Sequence, residues 1–209
     1  MKYCLYFILL VIVPFRPLYA QYPTPPGEVT AAAHDGFIPF LTGAVTEETK
    51  NLLGFARDDQ LDQAKLGTPF QLYYLTSDAI ERYDGASPVE SVLSQSDLWY
   101  FPIIINDRIK LLLYVGKRNG RWMRAGIGSA GLADNLQEIT SRWSAAAGYT
   151  PLLVQQSTIG VYLFSIPQVD THNLTETDAV ITGAGLGKKT ARLSSLDETI
   201  NNLRARIPR

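Results

Sequence analysis

Two short turns constrain this chain more than any other feature. "LWYFPIII" runs into Asn106-Asp107, "RIKLLLYVGKR" runs into Asn119-Gly120, and "RWMRAGI" follows. An Asn-Gly pair accepts the positive φ angles of a tight hairpin turn, whose twist matches that of the flanking strands. Residues 98–127 therefore predict a three-stranded antiparallel meander. Two-residue loops also set a register. It places Tyr100, Pro102, Ile104, Ile109, Leu111, Leu113, Val115, Trp122 and Arg124 on one face. Trp99, Phe101, Ile103, Ile105, Leu112, Tyr114, Met123 and Ile127 take the other. Both faces are largely apolar, so both need cover from helices, further sheet or a partner.

The flanking segments supply helices. Residues 46–67 carry Leu52, Phe55, Ala56, Leu61 and Ala64, a helical pattern with a weak point at Gly54 and a stop at Gly67. "PFQLYYLT" reads as a strand, and "SPVE" at 87–90 as a capping box opening a short helix. In residues 132–148, Leu132, Leu136, Ile139 and Trp143 fall on one helical face. "TPLLVQQ" and "GVYLFSIP" suggest a second strand pair. Residues 169–194 are polar and glycine-rich, a loop or tail. In 195–209, Ser195 and Glu198 form a capping box ahead of a stripe of Leu196, Ile200, Leu203 and Ile207. The expected fold is α+β: a mainly antiparallel sheet of about five or six strands, one long helix packed on it, and an N-terminal and a C-terminal helix. The core domain spans 46–168.

The N-terminus reads as a targeting segment. Lys2 precedes the apolar run "LYFILLVIV", and Ala20 offers a small-residue cleavage point. Residues 1–20 thus predict a secretory signal peptide, too short to span a bilayer. Residues 21–45, opening on "QYPTPPG", read as an extended leader. Cys4, the one cysteine, lies inside the signal. The mature chain then has no thiol for catalysis, disulfides or cysteine-ligated metal. It is expected to be exported, periplasmic or secreted, without a transmembrane segment once the signal is removed.

Charge narrows the partners. Without Lys2 and Arg16, 17 basic residues face 20 acidic ones. Residues 21–107 hold 13 acids and 4 bases, whereas 108–142 hold 7 bases and 2 acids. A weakly acidic chain is not a general nucleic-acid binder, since that affinity needs many neutralised phosphates. The asymmetry instead suits steering of a partner, or acidic helices facing a basic sheet edge.

Several motifs invite chemistry. "GIGSAG" at 126–131 matches the dinucleotide-binding pattern G-x-G-x-x-G. The strand before it carries Arg121 and Arg124 and belongs to an antiparallel hairpin, and 144–156 lack the acidic residue that would hold a ribose. The glycines read better as a tight strand-to-helix turn, with Ser129 as a helix cap. An anion contact at Gly128 and Ser129, assisted by Arg121 or Arg124, is the functional version. "GAGLGKKT" misses the phosphate-loop spacing by one residue. Ser129 lacks the glycine a nucleophile elbow needs two positions earlier. His34 and His172 show no metal-ligand spacing. Glu47-Glu48 and Asp58-Asp59 are adjacent, so on a helix each pair diverges and reads as a solvated face.

The basic residues Lys117, Arg118, Arg121 and Arg124 crowd the Asn-Gly turn, with Lys117 opposite Trp122 and free to stack on it. They form either a patch for an acidic partner, an envelope polymer or a phosphate-bearing surface, or charge that protects a hairpin end against edge pairing. The sequence is read as an exported, non-catalytic binding or accessory protein with no cofactor, whose partner is an envelope or extracellular protein or polymer. A small hydrolase of sugar or peptide polymers and a protease-inhibitor or propeptide-like module are the alternatives.

Overall fold

A computed structural model describes residues 24–86, 89–144, 152–166, 179–182 and 192–207. The proposed signal, His172 and "GAGLGKKT" lie outside them. The chain is α+β, built on one mixed, mostly antiparallel sheet with nine strands among the described residues.

The meander forms as expected. Strands β3 (Leu93–Ile105), β4 (Arg108–Arg118) and β5 (Arg121–Gly128) pair antiparallel through the two predicted turns. Asn106, Asp107 and Asn119 all adopt positive φ. On the N-terminal side lie β1 (Lys65–Leu66) and β2 (Phe70–Leu75), both antiparallel to β3. Beyond β2 the sheet continues through β6 (Leu152–Gln156), β7 (Val161–Ile166), β8 (Ala179–Thr182) and β9 (Arg192–Ser195). The β2–β6 pair is parallel, which makes the sheet mixed rather than wholly antiparallel.

The predicted faces are corrected by two bulges. Ile104 pairs with Ile109 but Ile103 pairs with Leu111, so Lys110 is an extra residue. Val115 pairs with Arg124 but Tyr114 with Gly126, so Ala125 is another. A one-residue slip exchanges the faces of a strand. Trp99, Phe101, Ile103 and Ile105 therefore share a core with Leu111, Leu113 and Val115, joined by Trp122 and Ile127. Tyr100 lies on the opposite face with Leu112 and, at its margin, Ile109 and Tyr114.

Helices cover both faces. α1 (Gly27–His34) and α2 (Phe37–Ala44) bury Val29, Ala33, Phe37 and Leu41 against the Trp99–Phe101 face. This corrects the extended leader at 21–45. Pro26 ends the extended part at the residue before α1, and the apolar spacing of four from Val29 to Leu41 is helical. α4 (Ser77–Arg82), α5 (Val89–Val92) and α7 (Leu196–Arg204) accompany β2, β6 and β7 on that same side, where Leu75, Ile80, Val154, Leu163, Ile200 and Leu203 form a second core. α6 (Ala130–Arg142) covers the other face with Leu132, Ala133, Leu136 and Ile139. Several short helices thus replace the expected single long one. The C-terminal helix docks on its own chain. Ile200 and Leu203 are buried, and the Arg204 guanidinium donates to the carbonyls of Ile80 and Tyr83 at the end of α4.

Two further expectations change. Residues 46–67 form only one helical turn, α3 (Glu47–Lys50), capped by Thr46, before a loop and a 3₁₀ turn at Leu61–Gln63. Gly54, at φ +80°, turns the chain out of the helix. The Asp59 carboxylate then accepts from the Ala56 N–H, a local bond that competes with helix. The polar stretch 169–194 contains β8, whose β-branched "AVIT" adds to β7, and the start of β9. Among the described residues no helix is long and apolar enough to cross a membrane.

Candidate functional site

The glycine motif resolves into packing. Gly126 and Gly128 lie in β5, at the sheet edge opposite Tyr114 and Leu112. A Cβ on Gly128 would stand 3.2 Å from the Tyr114 hydroxyl oxygen. The glycine makes room for that tyrosine, not for a pyrophosphate. Ser129 sits at the N-cap position of α6 in the left-handed conformation (φ 60°, ψ 50°) and makes no cap bond. Its hydroxyl instead accepts from Tyr114 Oη at 2.6 Å. Burial pushes the Tyr114 hydroxyl upward in pKa, against the lowering effect of this bond. Tyr100 is raised further, by burial first and then by the neighbouring Tyr162, Tyr114 and Tyr74. This face is a tyrosine-rich packing surface under α6.

The basic candidates are divided by the sheet. Lys117 pairs with Trp122, and its ammonium lies 5.7 Å from the ring centroid, as the register predicts. Arg124 shares their face and is engaged inward: its guanidinium donates to the Asp35 carbonyl and stacks 5.1 Å over Phe40. It fastens the α1–α2 turn onto the edge strand. Arg118 and Arg121 stand directly opposite each other on the α6 side, both exposed. Met123, two residues on from Arg121, joins them there, 45% exposed. Gly128 and Ser129 lie at the far end of β5, roughly 23 Å from Arg121 at about 3.3 Å per residue. The structure thus brings Arg118 and Arg121 together, separates them from Lys117, Trp122 and Arg124, and places Gly128 and Ser129 apart from both sets.

A second cluster was not expected. Asp59, read as part of a solvated face, is buried and pairs with Lys110 at 2.8 Å. The Asn106 amide also donates to it. Burial pushes the Asp59 carboxyl up, but the hydrogen bonds from Lys110, Ala56 and Asn106 and the ammonium charge outweigh it and hold the pKa below 3.8. Lys110 is the bulged residue of β4, and a bulge re-aims a side chain. Lys50, also buried, donates to the Arg57 carbonyl at 2.9 Å. Together these bonds fold the 51–64 loop onto the β3–β4 turn. The sequence signal was an apolar strand interrupted by one lysine, which only the bulge makes interpretable.

Beside this cluster is a cavity of about 580 Å³, lined by Asp62, Gln63, Lys65, Ile104, Asn106 and Asp107 among others. Both of its aspartates are exposed, without the contrast of environments by which hydrolases separate acid from base. His34 is exposed on α1. Among the described residues no group of three or more His, Cys, Asp or Glu side chains is placed to hold a metal ion. Comparisons with protein-family models, with curated proteins and with solved structures find no match for this chain.

Proposed function

We propose that this is an exported, non-catalytic binding or accessory protein that meets an anionic partner through the end of the β4–β5 hairpin. The export half of the reading rests on the character of residues 1–20. The binding half rests on one observation, the direct cross-strand opposition of Arg118 and Arg121. Like charges so placed destabilise a sheet by up to about 1 kcal/mol. Neither arginine forms an ion pair among the described residues. A pair of unneutralised guanidiniums is a preorganised site for carboxylate, sulfate or phosphate groups.

The test uses two polyanions, poly-glutamate and dextran sulfate, titrated against the protein at low salt. Binding is expected to weaken in Arg118→Ser and Arg121→Ser, with a shallower salt dependence, while stability holds or rises slightly. Charge that merely protects the edge would behave differently: the variants would aggregate through β5 with polyanion affinity unchanged. That outcome, or no binding by the wild-type protein, refutes the proposal.

A further inference from the structure

We propose that the hairpin's anionic partner is a second copy of this chain, docked head to tail. This rests on the reading of the hairpin as a contact surface. Two large hydrophobic side chains are exposed among the described residues, Leu52 at 82% and Met123 at 45%. Each stands among charges of opposite sign to those around the other.

Past α3 one further helical bond forms, from the Leu53 N–H to the Thr49 carbonyl, with Asn51 in the right-handed helical region. Glu48 and Leu52 are therefore neighbours one turn apart. Lys50 is buried and Leu53 packs on the core, which leaves Glu47, Glu48 and Leu52 facing solvent. At this end of the sheet the exposed Glu47, Glu48, Asp58, Asp62 and Asp107 outnumber the exposed Arg57, Lys65 and Arg108. At the other end, Met123 sits on the face of Arg118 and Arg121, across from the bare Gly116.

These ends cannot neutralise each other within one molecule. Gly54 comes close to the Lys110 carbonyl, so the acidic patch lies at the Lys110 end of β4. Arg118 is eight residues further along, roughly 26 Å at about 3.3 Å per residue. A contact between copies brings Leu52 onto Met123 and the glutamates onto the arginines. Because the two patches differ, the interface is heterologous: it grows into an open chain unless the rotation per copy closes a ring. Its small apolar centre and charged rim make it weak and salt-sensitive.

Light scattering and sedimentation velocity on the purified protein test this. At low salt the mean mass is expected to rise with concentration, and in about 0.5 M NaCl, where screening is short-ranged, to return to that of a monomer. Glu48→Lys and Met123→Lys should each remain monomeric at low salt, with circular dichroism unchanged, and their two altered patches are both basic and repel each other. Mixed one to one, they should form a dimer and nothing larger, since each variant keeps the patch the other lacks. A wild-type protein that stays monomeric at every soluble concentration overturns the proposal, as does a mixture that remains monomeric or grows past the dimer. If that monomer still binds poly-glutamate through Arg118 and Arg121, the contact surface stands and only the self-partner falls.

Discussion

Replacing Lys110 by Met isolates the buried ion pair. Methionine keeps most of the stem's packing and removes the ammonium 2.8 Å from the Asp59 carboxylate. Asp59 retains its bonds from Ala56, at 2.7 Å, and Asn106, at 3.3 Å, but its side chain, 3% exposed, loses the ammonium that pairs with it among the described residues. Breaking one side of a buried pair costs about 3–5 kcal/mol. The two surviving donors favour the lower end, about 3 kcal/mol at pH 7. Against a typical total of about 5–15 kcal/mol that loss is large. At about 2–4 °C per kcal/mol for a domain of this size, it lowers Tm by roughly 10 °C.

The pH dependence identifies the cause. In the wild-type protein the native carboxyl is held below its ordinary value. Its stabilising contribution is complete above the unfolded value of about 3.9 and is lost as pH falls through the lower native one. In Lys110→Met, burial is opposed only by the Ala56 and Asn106 hydrogen bonds, so the carboxyl moves up, and protonation on acidification relieves the stranded charge. The gap between the proteins should therefore narrow from pH 7 toward about pH 4. Adding Asp59→Asn should recover most of the loss at pH 7. Urea denaturation at several pH values measures all three quantities. A deficit below about 1 kcal/mol, or one independent of pH, would mean the pair behaves as a screened surface contact, and the reasoning fails.

Leu203→Ala, at a site 2% exposed between α7 and the sheet, should cost about 2–5 kcal/mol in chemical denaturation and confirm that α7 is part of the folded core. Nicotinamide dinucleotides should leave the thermal transition unchanged, because Tyr114 occupies the approach to Gly128; a clear upward shift would contradict that packing.

How legible the molecule was depends on which signals were local. The Asn106-Asp107 and Asn119-Gly120 turns fixed the meander and the Lys117–Trp122 contact, since a turn type and a cross-strand neighbour follow from a few adjacent residues. The apolar stripe of α6 was equally local. The faces were not legible, because a bulge at Lys110 depends on where its ammonium can reach Asp59, 51 positions away in sequence terms of the same chain. The parallel β2–β6 pair joins segments about eighty residues apart and left no mark in either strand. The N-terminal helices were legible in principle: prolines dominate 21–27, but the spacing of Val29, Ala33, Phe37 and Leu41 is plain once Gly36 is read as a corner.

That parallel seam has a consequence for how the chain acquires its structure. β3, β4, β5 and α6 are consecutive and can assemble from short-range contacts alone. β2 must then hold an unpaired edge until β6 is available; within the sheet β7, β8 and β9 follow through that junction, while α7 docks on α4. Closing a long loop slows such pairings. Folding should thus proceed in two phases, a fast one reported by the tryptophans of the meander and a slow one reported by protection of the β2–β6 amides.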